Sequence, residues 1–180
     1  MASHSSSILP PLSDHEYKLY NRLADKMRSL RQWFRVRWNI IYDVAASSQR
    51  PAGMSIKHYL NLCLKFCENL ETHHKIEEIR IFPYLATRMP AFANQDQLIE
   101  QHKVIHKGLE RLESHVRDCL HGNVDLRWNE VKEILDAFGT TLWEHLDDEV
   151  RELGAEQTRK YWSKDDENTD VNELYYIRNT

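Results

Sequence analysis

Apolar residues recur along this chain at spacings of three, four and seven, the period of a helix face packed on a core. Leu19, Leu23, Met27, Phe34, Trp38 and Ile41 form the first such stripe, and Ser13 or Asp14 precedes it with Glu16 in the first turn. This predicts a helix over about 14–46. A loop holding Ser47, Ser48, Pro51 and Gly53 follows. Ser55 then caps a second helix bearing Ile56, Leu60, Leu64, Leu70 and Ile76, which Pro83 disrupts. After a turn at Met89-Pro90, a third helix is predicted over about 94–121 and is stopped by Gly122-Asn123. Asp125 opens a fourth, which runs through Trp128, Val131, Leu135, Phe138, Leu142 and Leu146 to Gly154. Long helices with short connections imply an all-α fold, an antiparallel up-down-up-down four-helix bundle. The expected organisation is a flexible N-terminal segment over 1–13, the bundle over 14–154, and a C-terminal tail over 155–180 that contributes aromatic residues but no second domain.

Composition adds limits. With 180 residues, 41% hydrophobic and 29% charged, the chain suits one globular domain with a substantial core. A formal charge of −4 and a pI near 6.2 give no general attraction to nucleic acid or to an anionic membrane, so neither is an expected partner. The sequence has no apolar run of membrane-spanning length, and its first residues lack the basic and hydrophobic regions of a signal peptide, so a cytoplasmic protein is expected. Cys63, Cys67 and Cys119 are too few for a disulfide framework. Cys63 and Cys67 lie one helical turn apart, as either buried thiols or a thiolate metal pair, and the former is the commoner outcome.

The chemistry lies in three further pairs at one-turn spacing: His73 with Glu77, His102 with His106, and His145 with Glu149. Each pair projects from one helix face and can close on a single ion. One pair alone would be ordinary surface composition. Three pairs on consecutive helices fall at similar depth in an antiparallel bundle when the helices are measured at about 1.5 Å per residue. Imidazole with carboxylate suits iron, manganese or zinc better than calcium. Trp33, Trp38, Trp128 and Trp143 are expected in or against the core, with Tyr84 and Trp143 near enough in sequence to the pairs to line a pocket.

The stretches His73-His-Lys-Ile-Glu77-Glu-Ile-Arg-Ile-Phe-Pro, Gln-His102-Lys-Val-Ile-His106 and Trp-Glu-His145-Leu-Asp-Asp-Glu149 resemble the hemerythrin family of His-His-Glu cation-binding bundles, over about 14–154. The resemblance implies a non-haem di-iron centre. His73 would ligate one iron, His102, His106 and His145 the other, and Glu77 and Glu149 would bridge them. The family also supplies a histidine from its first helix, and here the matching depth falls on Arg31, which cannot ligate because guanidinium has no free lone pair. Two irons are expected from the family, and one if the replaced ligand is not compensated. Arg31 either reaches solvent or a carboxylate such as Glu77 or Glu78, or it clamps an anion beside the metal. His74 and Glu78 form a further pair rotated about 100° from His73 and Glu77; the resemblance selects His73 and Glu77 as ligands and leaves the other pair outside the first coordination sphere.

Three functions fit this pattern. One is an oxidoreductase whose iron activates O2 toward a small anionic or aromatic molecule. Another is a protein that binds O2, nitric oxide or peroxide, or senses iron, without turnover. The third is a metal-free structural bundle, which would have to tolerate six inward polar groups.

Overall fold

The computed structural model describes residues 9–93 and 96–164. Ser13 starts the first helix through a reciprocal cap: its hydroxyl accepts the Glu16 N–H at 3.3 Å while the Glu16 carboxylate accepts the Ser13 N–H at 2.9 Å. The helix predicted over 14–46 is broken at Asn21, giving α1 (Asp14–Tyr20) and α2 (Arg22–Ser47). The cause is tertiary. Asn21 is buried, and its side-chain oxygen accepts the Ala155 N–H at 3.1 Å while its amide donates to Asp25 at 2.8 Å. Ser48 ends α2 in the left-handed conformation, at φ 57°.

Next come α3 (Ile56–Ile76), a π-helical turn (Glu77–Ile81), α4 (Phe82–Ala86), α5 (Pro90–Ala93), α6 (Asp96–His121), α7 (Trp128–Glu152) and α8 (Ala155–Thr158). Ser55 caps α3 by accepting the His58 N–H at 3.1 Å. The chain is all-helical: there is no strand among the described residues, and none of the described helices is long and apolar enough to cross a membrane.

Helices α2, α3, α6 and α7 form a helical bundle in which α2 meets α3, α3 meets α6, α6 meets α7, and α7 returns to α2. The Tyr59 hydroxyl of α3 donates to the Ile41 carbonyl of α2 at 3.0 Å, and His73 of α3 packs on Phe34 of α2. Cys67 of α3 faces Leu109 of α6, and His74 faces His102. Tyr42 of α2 reaches Asp136 of α7, and Arg31 reaches Asp147. Two mid-helix glycines set the closeness of α7. A Cβ at Gly108 would lie 2.2 Å from Cδ1 of Phe138, and one at Gly139 would lie 2.8 Å from Cζ2 of Trp38. Trp38 fills the space between helices, in contact with Phe66, Phe138 and Trp143.

The buried face of α3 differs from the aliphatic stripe read from sequence. Ile56 and Ile76 are exposed, whereas Tyr59, Leu60, Cys63, Phe66, Cys67, Leu70, His73 and His74 are buried. Both helix cysteines are therefore core thiols. Burial pushes Cys63 up to about 12 and raises Cys67 also, so neither is a thiolate at neutral pH. After α7 the chain folds back on α1, where Thr158 donates to the Tyr20 carbonyl at 2.8 Å. Buried Trp162 stacks on Tyr84 with ring centroids 5.1 Å apart.

Candidate metal centre

The buried face of α3 runs directly into the polar centre. Leu60, Cys67 and His74 succeed one another at seven-residue intervals, as do Tyr59, Phe66 and His73, so the last turn aims two imidazoles inward. The chain then widens. The Phe82 N–H donates to the Glu77 carbonyl, five residues back, and the π-turn leads into Pro83. Proline has no N–H and its ring would crowd a carbonyl four residues earlier in an α-helix; the wide turn ahead of it lets the helix bend without ending. Glu77 at the start of this turn is fully buried, and Glu78 is exposed at its rim.

Facing side chains complete two adjoining groups. The ligand-type atoms of His74, Glu77, His102 and His145 lie within 4.8 Å of one another, as do those of His73, Glu77 and Glu149. Glu77 belongs to both. Its Oε1 is 3.1 Å from His73 Nε2 and its Oε2 is 3.7 Å from His102 Nε2; His145 Nε2 is 3.5 Å from Glu149 Oε1. His74, Glu77 and His145 have no exposed surface, and His73 is the most accessible of the six at 9%. Glu78, His102 and His106 form a third group at the outer edge, with Glu78 Oε1 2.6 Å from His102 Nδ1 and 3.8 Å from His106 Nε2. His106 is half-buried there, beside a surface pocket lined by Glu78, Lys103, Lys107 and Glu110.

Burial governs the charge states. It lowers His73 to about 3 and takes His74 and His145 well below the ordinary histidine value, each helped by repulsion from His102. His102 is lowered less, because Glu78 supports its charge against burial. Glu77 is raised well above the carboxylate range by burial and by the neighbouring Glu149, which itself rises to about 8 through burial. Without a cation the centre is thus a set of neutral imidazoles with carboxyls that resist ionising. One proton can be shared between Glu77 and Glu149; with both ionised, neither Glu77 oxygen has a partner.

The hydrogen bonds around the centre fit a metal ion. His145 Nδ1 lies 3.1 Å from the side-chain oxygen of Gln101, whose amide donates to Asp148 at 3.3 Å. An amide oxygen only accepts, so His145 carries its proton on Nδ1 and turns a bare Nε2 inward. His102 Nε2 is 2.9 Å from that atom while its Nδ1 meets the Glu78 carboxylate. A neutral His102 cannot donate to both. An ion between the two imidazoles resolves the conflict: His102 donates from Nδ1 to Glu78 and offers Nε2 inward, as His145 does, in the carboxylate–histidine–metal manner. Six further buried atoms have no hydrogen-bond partner, namely His73 Nε2, both nitrogens of His74, both oxygens of Glu77 and one of Glu149. Orphans at this density are rare in a folded core and point to a missing positive partner. Mixed imidazole and carboxylate donors suit a first-row transition ion such as iron, manganese or zinc.

The family model of the hemerythrin HHE cation binding domain matches residues 37–156, two thirds of the chain. The chain belongs to the hemerythrin HHE cation binding domain family. No curated protein and no solved structure matches it. The HHE match takes in α3, α6 and α7, the helices that carry the clustered histidines, and begins after Arg31.

In this HHE domain the candidates separate spatially. His73, Glu77, His102, His145 and Glu149 meet in the interior, while His106 stands at the outer edge. Arg31 is half-buried and pairs with neither Glu77 nor Glu78 but with Asp147 of α7, Nε to Oδ1 at 2.6 Å. From α2, Phe34 packs on the centre, its ring 5.4 Å from that of His73. His74, expected outside the coordination sphere, is central, and Gln101 gave no sequence signal beyond adjacency to His102. Tyr84 stacks on Trp162 and Trp143 lies under the Arg35 guanidinium, so both have structural partners.

Proposed function

We propose that this chain is an antiparallel up-down-up-down four-helix bundle over residues 14–154 that holds a non-haem iron centre reactive toward O2 or a related small ligand. In this reading the metal-holding unit is residues 14–154; of the N-terminal segment 1–13 and the C-terminal tail 155–180, residues 1–8 and 165–180 lie outside the described residues. The observation that carries this reading is the pair of buried donor groups meeting at Glu77, with orphaned nitrogens and oxygens on both sides. His73, Glu77 and Glu149 would hold one ion, and His102, His145 and Glu77 the other; His106 would join from the rim. Bound iron supplies an open coordination position and redox capacity. The residues supply the rest. Gln101 and Glu78 fix the imidazole tautomers, burial excludes bulk water, and Phe34 walls the α2 side.

A centre this enclosed favours a small uncharged ligand such as O2 or nitric oxide, hence binding or sensing. Arg31, held by Asp147, is less suited to clamp an anion than a free guanidinium would be. Turnover of a small anionic molecule is the second reading, favoured by Lys107 in the pocket beside His106, where Lys103 is engaged by Glu100 and the carboxylates of Glu78 and Glu110 also line the wall. Three free thiols accord with a cytoplasmic setting. The test is anaerobic loading with iron(II), followed by exposure to O2 and optical and Mössbauer spectroscopy. The reading expects about two irons per chain and a ligand-dependent spectrum. Loaded iron whose spectrum ignores O2 and nitric oxide would reject it.

A further inference from the structure

We propose that His74 is a metal ligand, supplying from α3 the imidazole that α2 does not bring to the centre. This rests on the metal-centre reading above. His74 is entirely buried, and neither of its ring nitrogens has a hydrogen-bond partner. Away from the centre, buried hydroxyls find partners: the Tyr59 hydroxyl donates to the Ile41 carbonyl, and Thr158 donates to the Tyr20 carbonyl. One His74 nitrogen lies within 4.8 Å of donor atoms on Glu77, His102 and His145.

Packing alone does not account for this side chain. His74 stacks on His102 with centroids 4.0 Å apart and planes 17° apart, and it stands edge-on to His145. An apolar ring would stack equally well, whereas each buried nitrogen left unpaired costs about 1–3 kcal/mol. A ligand role removes that penalty for one nitrogen. His73 and His74 are about 100° apart on the helix, so they flank Glu77 and face its two sides. His73 serves the carboxylate-rich group with Glu149, and His74 serves the imidazole-rich group with His102 and His145. On α2, Phe34 and the paired Arg31 offer no donor to either. The His74 position, with three imidazoles and one carboxylate, is the tighter for a divalent first-row ion and fills first.

The test compares wild type with His74→Phe, which keeps a stacked ring and removes both nitrogens. Metal-free protein is titrated with cobalt(II) without oxygen, followed by calorimetry and the visible cobalt spectrum. Loss of even an outer partner of a ligand costs about 10–100-fold in affinity, so loss of a direct donor should weaken the first cobalt by at least about 100-fold. The cobalt spectrum should change with it, while metal-free melting is unchanged or raised. Equal affinity and an unchanged spectrum in the variant would overturn the ligand role while leaving the metal centre intact. Failure of wild type to bind cobalt would instead overturn the metal-centre reading and this inference with it. Should His74→Phe not fold, anomalous diffraction from cobalt-loaded wild-type crystals decides: a peak at about 2.0–2.2 Å from a His74 nitrogen supports the assignment, and a peak bonded only to other residues rejects it.

Discussion

Replacing Glu77 should have opposite effects on stability with and without metal. In the metal-free protein both Glu77 oxygens are buried and unpartnered, beside a second carboxyl on Glu149. An unsatisfied buried acceptor costs about 1–3 kcal/mol, and a proton shared with Glu149 recovers about 1 kcal/mol. Methionine has the length of glutamate and no charge, so Glu77→Met should stabilise the metal-free fold by about 1–2 kcal/mol. For a chain of this size that raises Tm by about 2–8 °C. With metal at about a thousand times Kd, binding to the native state stabilises wild type by about 4 kcal/mol, or about 8–16 °C. The variant should forgo most of this, because Glu77 belongs to both donor groups. Calorimetric melting of both proteins, stripped by chelator and then reloaded, measures the four values. A variant less stable than wild type without metal, or equally stabilised by metal, would refute the reasoning.

Gln101→Ala removes the acceptor that holds His145 Nδ1–H and should weaken metal binding by about 10–100-fold with little change in metal-free Tm, checked by competition with a chromophoric chelator. The stability of the metal-free protein should peak near pH 6.5 in urea titrations. From about pH 3 to 6.5 the unfolded chain binds protons that buried His73, His74, His102 and His145 refuse, so stability rises with pH. From 4.5 to about 8 the fold retains protons on Glu77 and Glu149 that the unfolded chain has released, which opposes that rise and alone governs the decline above 6.5. Bound metal should flatten the alkaline decline, since it already holds both carboxylates ionised. Gly108→Ala places a Cβ against the Phe138 ring; overpacking of about 1–3 kcal/mol exceeds the roughly 1 kcal/mol gain in helix propensity, and Tm should fall.

The helices and their capping serines were legible because periodicity and cap chemistry are local. Ser13 and Ser55 both cap as their positions imply. The break at Asn21 was not legible, because its cause is a hydrogen bond to Ala155, 134 residues away. At Pro83 the sequence predicts disruption, and the fold answers with a π-turn that keeps Glu77 inward. His74 illustrates a subtler difference. Reading α3 from its aliphatic residues alone rotates the face toward Ile56 and Ile76, which are exposed. Counting Tyr59, Cys63, Phe66 and Cys67 as apolar restores the true stripe and extends it by seven residues from Cys67 to His74. The Arg31–Asp147 pair lies between helices distant in sequence, and only their packing reveals it.

Metal content per chain tests the central claim most directly, measured by elemental analysis after iron(II) loading and desalting, on wild type beside a His102→Ala/His145→Ala variant. The account predicts about two tightly held irons in wild type and a loss of at least one in the variant, accompanied by loss of the metal-dependent rise in Tm. Wild type that retains no iron, or a variant that retains as much, would contradict it.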